Sequence, residues 1–258
     1  MDNDDRQIGR ILRRREVLAL LGLTGGSALL ARSGLLVPSG ASSLVSGLLG
    51  SAQPALAQEA PACVVKPELT EGPYFVDNQL ERSDIRIEPS DGSISQGVPL
   101  TLGVNVSQVA SGGCGPLEGA RVDLWQCDAL GVYSGVNDVG SVIGQKFLRG
   151  YQFTDASGLA QFTTIYPGWY RGRAVHIHFK VRTTGADGAA YEFTSQFFLD
   201  DALSDQVLAL PPYASKGSRD TRNAADSIYR SGGDQLLLNA VPSGDGYAAT
   251  FDIGLQMA

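Results

Sequence analysis

The sequence predicts an all-β fold, an antiparallel β-sandwich with long loops and at most short helices. From about Cys63 onward, short segments of alternating apolar and polar residues recur, separated by turns rich in Gly, Asp and Ser. No amphipathic helical repeat of the kind that covers a parallel sheet lies between these segments. Strands at this spacing are typical of two antiparallel sheets packed face to face.

Each predicted strand is a run of six to nine residues that ends at a turn signal. In chain order the predicted strands are 99–106, 120–125, 159–165, 175–181, 191–199 and 247–255. Turns are predicted at 128–131, 154–158 and Pro167-Gly168. Two further segments, 201–210 and 220–229, fit either short helices or long loops, and the pattern does not decide between them.

Residues 1–57 have the features of an export leader. The basic stretch Arg13-Arg14-Arg15 precedes an apolar run at 17–30, and a spacer rich in Ser, Gly and Leu ends at Ala55-Leu56-Ala57. This is the pattern of a signal peptide with a small-residue cleavage site. The paired arginines specify the twin-arginine route. A membrane anchor is the alternative, but the apolar run is shorter than the ~20 residues that span a bilayer.

We therefore predict a twin-arginine signal peptide at 1–57 and a mature domain at 58–258 that works in the periplasm or outside the cell. The leader holds six of the 20 Lys and Arg and four of the 27 Asp and Glu, so the mature domain has 14 basic and 23 acidic side chains. No basic run remains in it, so nucleic acid is not predicted as a partner. No stable membrane span is predicted in the mature form, and the sequence does not indicate an oligomeric state.

The three cysteines, Cys63, Cys114 and Cys127, all lie in the mature domain. An oxidising destination permits a disulfide, and an odd count leaves one thiol over or pairs it between chains. The pattern favours Cys63 with Cys114, since both lie in loop-like surroundings while Cys127 follows a strand. No CxxC motif is present, so a cysteine zinc site is not predicted.

The only two histidines of the chain are one residue apart, at His176 and His178. On a strand at 175–181 their side chains point to the same face, while the residues between and around them cover the opposite, apolar face. Two imidazoles on one face of a strand can bind a single metal ion. This spacing is the strongest functional signal in the sequence.

Two of the nine tyrosines are candidates to complete this site. Tyr170 lies close to the histidines in sequence, after a Pro-Gly turn that could direct its phenol to the same place. Tyr133 follows the turn after the strand that ends at Trp125, and strand-end loops often carry functional groups. The other seven tyrosines are expected to be half-buried phenols with one hydrogen bond each.

A site of two tyrosines and two histidines favours Fe(III). Phenolate is a hard, anionic donor whose unperturbed pKa of ~10 must be overcome by a strongly Lewis-acidic ion. Calcium and magnesium prefer carboxylates and carbonyls, and zinc is normally bound by His, Cys and carboxylate. We therefore predict a mononuclear non-haem Fe(III) centre.

Four segments, taken together, resemble the intradiol ring-cleavage dioxygenases. They are Thr70-Glu71-Gly72-Pro73-Tyr74, the run 122–126 followed by Tyr133, the run 162–170, and the motif Arg173-x-x-His176-x-His178. The similarity is greatest to the iron-bearing subunit of protocatechuate 3,4-dioxygenase and to exported, single-domain relatives. It runs in order from about Cys63 to Leu203, which is most of the mature domain.

The resemblance implies a role for each matching position. Tyr170 would be the axial ligand that substrate displaces, and Arg173 would stabilise negative charge that develops on the substrate ring. The implied Fe(III) ligands are Tyr133, Tyr170, His176 and His178, and the implied substrate pocket is lined by Pro73, Tyr74, Trp125 and Gln196. The implied reaction cleaves a catechol-type diol with O₂, between its two hydroxyl-bearing carbons, to a cis,cis-muconate-type dicarboxylate. The sequence does not indicate which catechol derivative is the substrate.

Two alternatives remain open at this point. A copper radical oxidase also uses two Tyr and two His, although it gives no role to Arg173. A non-catalytic extracellular sandwich that binds aromatic compounds or carbohydrates would use Trp125, Trp169 and Tyr74 as its recognition surface. In that case the two histidines would be ordinary core residues.

Replacing Arg14 and Arg15 with Lys tests the predicted export route. We expect the variant precursor to stay in the cytoplasm, folded and metal-loaded, because the twin-arginine route requires the arginine pair. Cell fractionation with immunodetection of precursor and mature forms is the measurement. Normal export of the variant would show that the assignment of the route is wrong.

Overall fold

The computed structural model describes residues 65–110, 113–137 and 142–257. The predicted leader at 1–57 and Cys63 therefore lie outside the described residues. The described chain forms nine strands and one α-helix. In order they are β1 (Pro99–Ala110), β2 (Gly113–Pro116), β3 (Arg121–Trp125), β4 (Arg149–Phe153), β5 (Leu159–Ile165), β6 (His176–Thr184), β7 (Ala190–Phe198), α1 (Asp201–Leu208), β8 (Val241–Ser243) and β9 (Gly246–Gln256).

The strands form two sheets, which confirms the predicted all-β sandwich. The first sheet has the order β2-β1-β9-β8, and β5 pairs with the part of β1 that β2 leaves open. The second sheet has the order β4-β3-β6-β7, and all of its pairs are antiparallel. One pair departs from the antiparallel prediction, because β1 and β9 run parallel.

The core lies between the two sheets. β6 contributes Ile177, Phe179 and Val181, and all three are fully buried. The Phe179 ring stacks on Phe197 of β7 at a centroid distance of 4.0 Å. The first sheet meets them with the alternating apolar residues of β1 and with Phe251 of β9. The period-two pattern of the sequence thus places the predicted apolar face of β6 in the core.

The opposite face of the second sheet is also covered. Residues 65–82, called here the covering segment, cross this face. Leu69 donates its amide to the Thr194 carbonyl at 3.1 Å, and Lys180 forms an ion pair with Glu71. Farther along, Asp77 of the segment binds Arg121 and Arg182, at 2.9 Å each. The histidine face of β6 is therefore an enclosed layer and not an open surface.

The remaining elements differ from the predictions in boundaries and number. The strands β2, β4 and β8 were not predicted, because two are short and β4 has polar or aromatic residues on both sides of its alternation. Of the two undecided segments, the first contains α1, whose N-cap Asp200 accepts the Leu203 amide at 2.8 Å. The second contains short 3-10 turns and no α-helix. None of the helices in the described part of the chain has the length and apolar character that crossing a membrane requires.

Cys114 lies on the short strand β2 and not in the loop predicted for it. Cys114 is disulfide-bonded, and Cys127 is a free, buried thiol. Cys63, the favoured partner of Cys114, lies outside the described residues. Burial raises the pKa of the Cys127 thiol to about 12, so it is protonated at neutral pH.

Phe179→Ala tests the core assignment. The side chain is fully buried and stacked, so we expect the free energy of unfolding to fall by about 3–5 kcal/mol. Phe153→Ala is the matched control, because Phe153 is 49% exposed on β4, and we expect a loss below about 1 kcal/mol there. Chemical denaturation of both variants gives the values, and similar losses at the two positions would contradict the assignment.

Candidate metal centre

The candidate metal centre is built on a row of side chains that crosses the second sheet. His178 on β6 lies opposite Trp125 on β3 and opposite Gln196 on β7. Trp125 in turn lies opposite Arg149 on β4. Residues paired in this way share one face of a sheet, so the four side chains form a continuous row under the covering segment. His176 lies one pleat farther along β6, opposite Phe198.

Tyr133 reaches the histidines because of a tight turn after β3. The Asp128 carboxylate accepts the amides of Leu130 and Val132, at 2.9 Å each, which closes the turn. A side chain at Gly131, whose φ is +77°, would meet the Trp169 carbonyl at 2.1 Å. The turn can therefore pack directly on the loop that carries Tyr170.

The second contact between these two loops is at Gly168. Its amide donates to the Asp128 carbonyl at 3.0 Å, and a Cβ there would lie 2.4 Å from the Ala129 carbonyl oxygen. The close approach brings the rings of Tyr133 and Tyr170 to a centroid distance of 5.7 Å. The two predicted tyrosines and the two predicted histidines are thus in one cluster.

Three donor atoms of this cluster have the separations expected of neighbouring ligands on a single metal ion. The Tyr170 hydroxyl lies 3.0 Å from His176 Nε2, which lies 3.1 Å from His178 Nε2. Donors bound ~2.1 Å from one ion at angles of about 90–110° would be about 3.0–3.4 Å apart. The spacing of the donors therefore fits a single metal ion.

The Tyr133 hydroxyl is the clearest sign that a group is to be bound here. Tyr133 is 3% exposed, and its hydroxyl has no hydrogen-bond partner of acceptable geometry among the described residues. Burial raises the pKa of the Tyr133 phenol well above its usual value, and the neighbouring Tyr170 adds to this. Burial also raises the pKa of Tyr170, against the opposing effect of Arg173. Buried polar atoms without partners are uncommon, and a metal ion would satisfy this one.

The two imidazoles are held in the neutral form that metals bind. Burial, and next the charge of Arg173, lower the pKa of His176 to about 3. Burial and the neighbouring His176 lower the pKa of His178 well below its usual value. His176 Nδ1 lies 2.6 Å from the Ala174 carbonyl oxygen, so Nδ1 carries the proton and Nε2 presents its lone pair to the cluster.

Any metal at this site would depend on the tyrosines. Across residues 65–110, 113–137 and 142–257, no three His, Cys, Asp or Glu side chains form a group able to bind a metal. A cluster of two imidazoles and two phenols, without a carboxylate, does not suit calcium or magnesium. It fits a strongly Lewis-acidic ion that stabilises phenolate.

Arg173 is fixed beside this cluster by two side chains, Asp226 and Gln196. Its Nε donates to the Asp226 carboxylate at 2.9 Å, and its Nη2 donates to Gln196 Oε1. Its Nη1 lies 3.4 Å from the Tyr170 hydroxyl and 3.3 Å from His176 Nε2. Nη1 of the guanidinium therefore faces the donor atoms, while Nε and Nη2 are bound by Asp226 and Gln196.

The predicted pocket residues take different places. Tyr74 is half-buried and stacks on Tyr133 at 4.4 Å, and Pro73 beside it is exposed. Trp125 is buried and stacks on His178 at 5.0 Å with nearly parallel rings. Gln196 is also buried and joins Arg173 to the Thr70 carbonyl, to which it donates at 2.8 Å. The structure thus brings three of the four around the candidate metal ligands.

Two charged residues of this region, Arg149 and Asp226, are not among the predicted site residues. Arg149 is 2% exposed and donates to the carbonyls of Ser134, beside Tyr133, and of Tyr74. Asp226 lies in the segment that was undecided between helix and loop. The position of Arg149 opposite Trp125 depends on β4, whose sequence has no clear apolar face, and no local pattern marks Asp226.

Comparison with known proteins gives a consistent result. Residues 70–211, more than half of the chain, match the model of the family Dioxygenase_C, described as dioxygenase. An intradiol ring-cleavage dioxygenase from Tetranychus urticae is 30% identical, with a TM-score of 0.65; the match covers 75% of this chain and 95% of that one.

Two further solved structures are similar. The dioxygenase domain of a dioxygenase–carbohydrate-binding protein fusion from Streptomyces sp. SirexAA-E is 31% identical over 76% of this chain and 100% of that one, with a TM-score of 0.53. The 3-chlorocatechol 1,2-dioxygenase from Rhodococcus opacus 1CP shares the fold, at 20% identity and a TM-score of 0.54 over 75% of this chain and 73% of that one. With two histidines and two tyrosines gathered as described, this chain is an oxidoreductase that belongs to the intradiol ring-cleavage dioxygenase family.

Proposed function

We propose that the protein is an Fe(III)-dependent enzyme that cleaves a catechol-type diol with O₂ to a cis,cis-muconate-type dicarboxylate. The bond between the two hydroxyl-bearing carbons breaks, and both oxygen atoms of O₂ enter the product. The observation that carries the proposal is the buried Tyr133 hydroxyl, which has no hydrogen-bond partner of acceptable geometry among the described residues and lies beside Tyr170 and two neutral imidazoles. This donor set suits Fe(III) for the reasons of acidity and ligand type given above.

Tyr133, Tyr170, His176 and His178 would hold the iron. When bound, Fe(III) supplies Lewis acidity that binds the diol oxygens as anions and makes the ring reactive towards O₂. The four protein ligands come from β6 and from two loops whose backbones are in contact. This arrangement fixes the donor atoms before the metal arrives.

Tyr170 is suited to accept a proton from the diol. It is more exposed than Tyr133, and its hydroxyl lies 3.4 Å from the cationic Arg173. A phenolate released from the metal at this place would be stabilised by that charge and could act as a general base. Tyr133 is buried and stacked under Tyr74, so it is the ligand expected to stay in place.

Arg173 would stabilise the negative charge that the substrate ring develops. Its Nη1 edge faces the ligand cluster, and its other donors are bound by Asp226 and Gln196. A cation already fixed in this way needs little reorganisation during the reaction, and such a donor can contribute ~3–4 kcal/mol in a water-excluded site.

We further propose that the enzyme acts outside the cytoplasm, on aromatic diols met there. This rests on the predicted twin-arginine leader, and folding before export would let the cell load iron where competing metals are controlled. Of the alternatives, a non-catalytic binding sandwich does not agree with membership of an enzyme family. A copper radical oxidase leaves unexplained the contacts of Arg173 with the ligand cluster.

The proposed function is tested by metal content and by oxygen consumption. We expect the purified protein to contain one iron per chain and to be red-brown from tyrosinate-to-iron charge transfer. With catechol, hydroxyquinol or protocatechuate it should consume O₂ and form a muconate-type absorbance. Elemental analysis, visible spectra and an oxygen electrode are the measurements. A colourless, iron-free protein, or one that holds copper and releases hydrogen peroxide, would contradict the proposal.

Tyr133→Phe provides the matched variant for this test. It removes the hydroxyl that lacks a partner and keeps the ring that stacks on Tyr74, so iron and colour should be lost while the fold remains. Tyr166→Phe is the control, because it also removes a buried tyrosine hydroxyl, but one that hydrogen-bonds Ser204 away from the cluster. We expect this control to retain iron.

Arg173→Ala should lower turnover far more than iron content. Loss of one preorganised charged donor predicts a fall in kcat of about 10²–10³-fold. Arg171→Ala is the control, because Arg171 is exposed two residues earlier, and its kcat should stay close to that of the wild type. Steady-state kinetics, iron analysis and melting temperatures are measured together. Equal losses of iron and activity in Arg173→Ala would make Arg173 structural only.

A further inference from the structure

Asp226 is a buried carboxylate outside the segment that matches the family model. It lies between two 3-10 turns, Asn223–Ala225 and Tyr229–Ser231, whereas the match ends at residue 211. Its side chain is 1% exposed. A carboxylate so deeply buried is retained only when charge and hydrogen bonds compensate its desolvation.

All of the compensation is present, and it is divided between the two carboxylate oxygens. Oδ1 accepts the amides of Ile228 at 2.7 Å and Tyr229 at 3.1 Å, which closes the turn on which Asp226 lies. Oδ2 accepts the Arg173 Nε at 2.9 Å and the Ala174 amide at 2.8 Å. Oδ1 thus stabilises the turn that carries Asp226, and Oδ2 binds the two residues Arg173 and Ala174, which lie just before β6.

The contact between Asp226 and Arg173 determines how the Arg173 guanidinium is oriented. With Nε on Asp226 and Nη2 on Gln196, the planar guanidinium has little freedom to rotate, and Nη1 is left towards the ligand cluster. Gln196 is itself held by the Thr70 carbonyl of the covering segment. The orientation of the guanidinium therefore depends on Asp226 and also on Gln196, which is bound to the covering segment.

The contact with Ala174 reaches the histidine ligand. The Ala174 amide donates to Asp226, and the Ala174 carbonyl accepts the proton of His176 Nδ1 at 2.6 Å. Groups that bind the far nitrogen of a ligand histidine set its tautomer and ring orientation. Among the described residues, His178 Nδ1 has no such partner, so Asp226 acts on one of the two imidazoles.

We propose that Asp226 is a positioning residue that aims the Arg173 guanidinium at the substrate and steadies His176 through the backbone of Ala174. The segment beyond the family match would then complete the active site. The inference rests on the proposed function of Arg173. The Asp226 carboxylate is ionised as this role requires: burial raises its pKa, but the Ala174 amide and the charge of Arg173 together lower the pKa below its usual value.

A double-mutant cycle with Asp226→Asn and Arg173→Ala tests the proposal on the iron-loaded protein. We expect Asp226→Asn alone to lower kcat by roughly 10-fold or more with iron content retained, because the guanidinium loses its anionic anchor. In the Arg173→Ala background the same change should lower kcat by a clearly smaller factor, about 2-fold, since only the contact through Ala174 to His176 remains. A purely structural role would give the same factor in both backgrounds, and that result would overturn the proposal.

Asp205→Asn is the matched control. Asp205 also pairs with arginines, Arg219 and Arg222, but it lies on α1 with an exposed side chain. Its kcat should match the wild type, and an equal loss in Asp205→Asn and Asp226→Asn would overturn the proposal. If Asp226→Asn fails to fold, Asp226→Glu keeps the charge but shifts it by one methylene. A kcat of Asp226→Glu equal to that of the wild type would then overturn the proposal.

A crystal structure of Asp226→Asn separates this inference from the proposed function. Inactivity of the wild-type protein towards all three diols would defeat the proposed function, whatever Asp226 does. The crystal structure still decides the positioning role in that case. We expect Arg173 to leave Gln196 in the variant, and a guanidinium that has not moved would overturn the inference.

Discussion

The pairing of β6 with its two neighbours is the interaction on which the rest of the structure depends. It places His178 between Trp125 and Gln196 on one face, while Ile177 and Phe179 enter the core on the other. The period of the strand makes these two assignments inseparable, because a shift of one residue would exchange the faces. The same register that fills the core therefore also sets the position of the two histidines proposed as metal ligands.

Enclosure of the histidine face determines the electrostatics of the site. The covering segment turns an outer sheet face into a buried layer, and burial is the largest influence on the pKa of both imidazoles and both phenols. Neutral imidazoles can bind a metal without losing a proton, whereas a phenol must ionise first, and burial opposes that ionisation. Only a strongly Lewis-acidic ion reverses that preference, so the same burial narrows the range of metals that the site can use.

Two arginines near the site, Arg173 half-buried and Arg149 fully buried, are compensated in different ways. Arg173 has a carboxylate partner in Asp226, whereas Arg149 donates to backbone carbonyls and forms no ion pair with any described residue. Burial lowers the pKa of Arg149 to about 10, which leaves it charged, and its guanidinium lies 5.9 Å from the centre of the Tyr133 ring. Its hydrogen bonds join the loop of Tyr133 to that of Tyr74, whose rings stack. A fixed positive charge of this kind also favours a nearby phenolate.

The sequence by itself determined the strands with clear alternation, the common face of His176 and His178, and the nearness of Tyr170. These follow from local rules, because the period of a strand fixes which side each residue takes. It also determined the family, through motifs that keep their order. The tertiary structure decided that β1 and β9 run parallel, and that Gly131 and Gly168 let two loops touch so that Tyr133 meets the histidines. It alone brought Asp226, which lies 53 residues from Arg173 in the chain, to the guanidinium. A local pattern records the environment of its own segment, whereas contacts between distant segments arise only when whole elements pack.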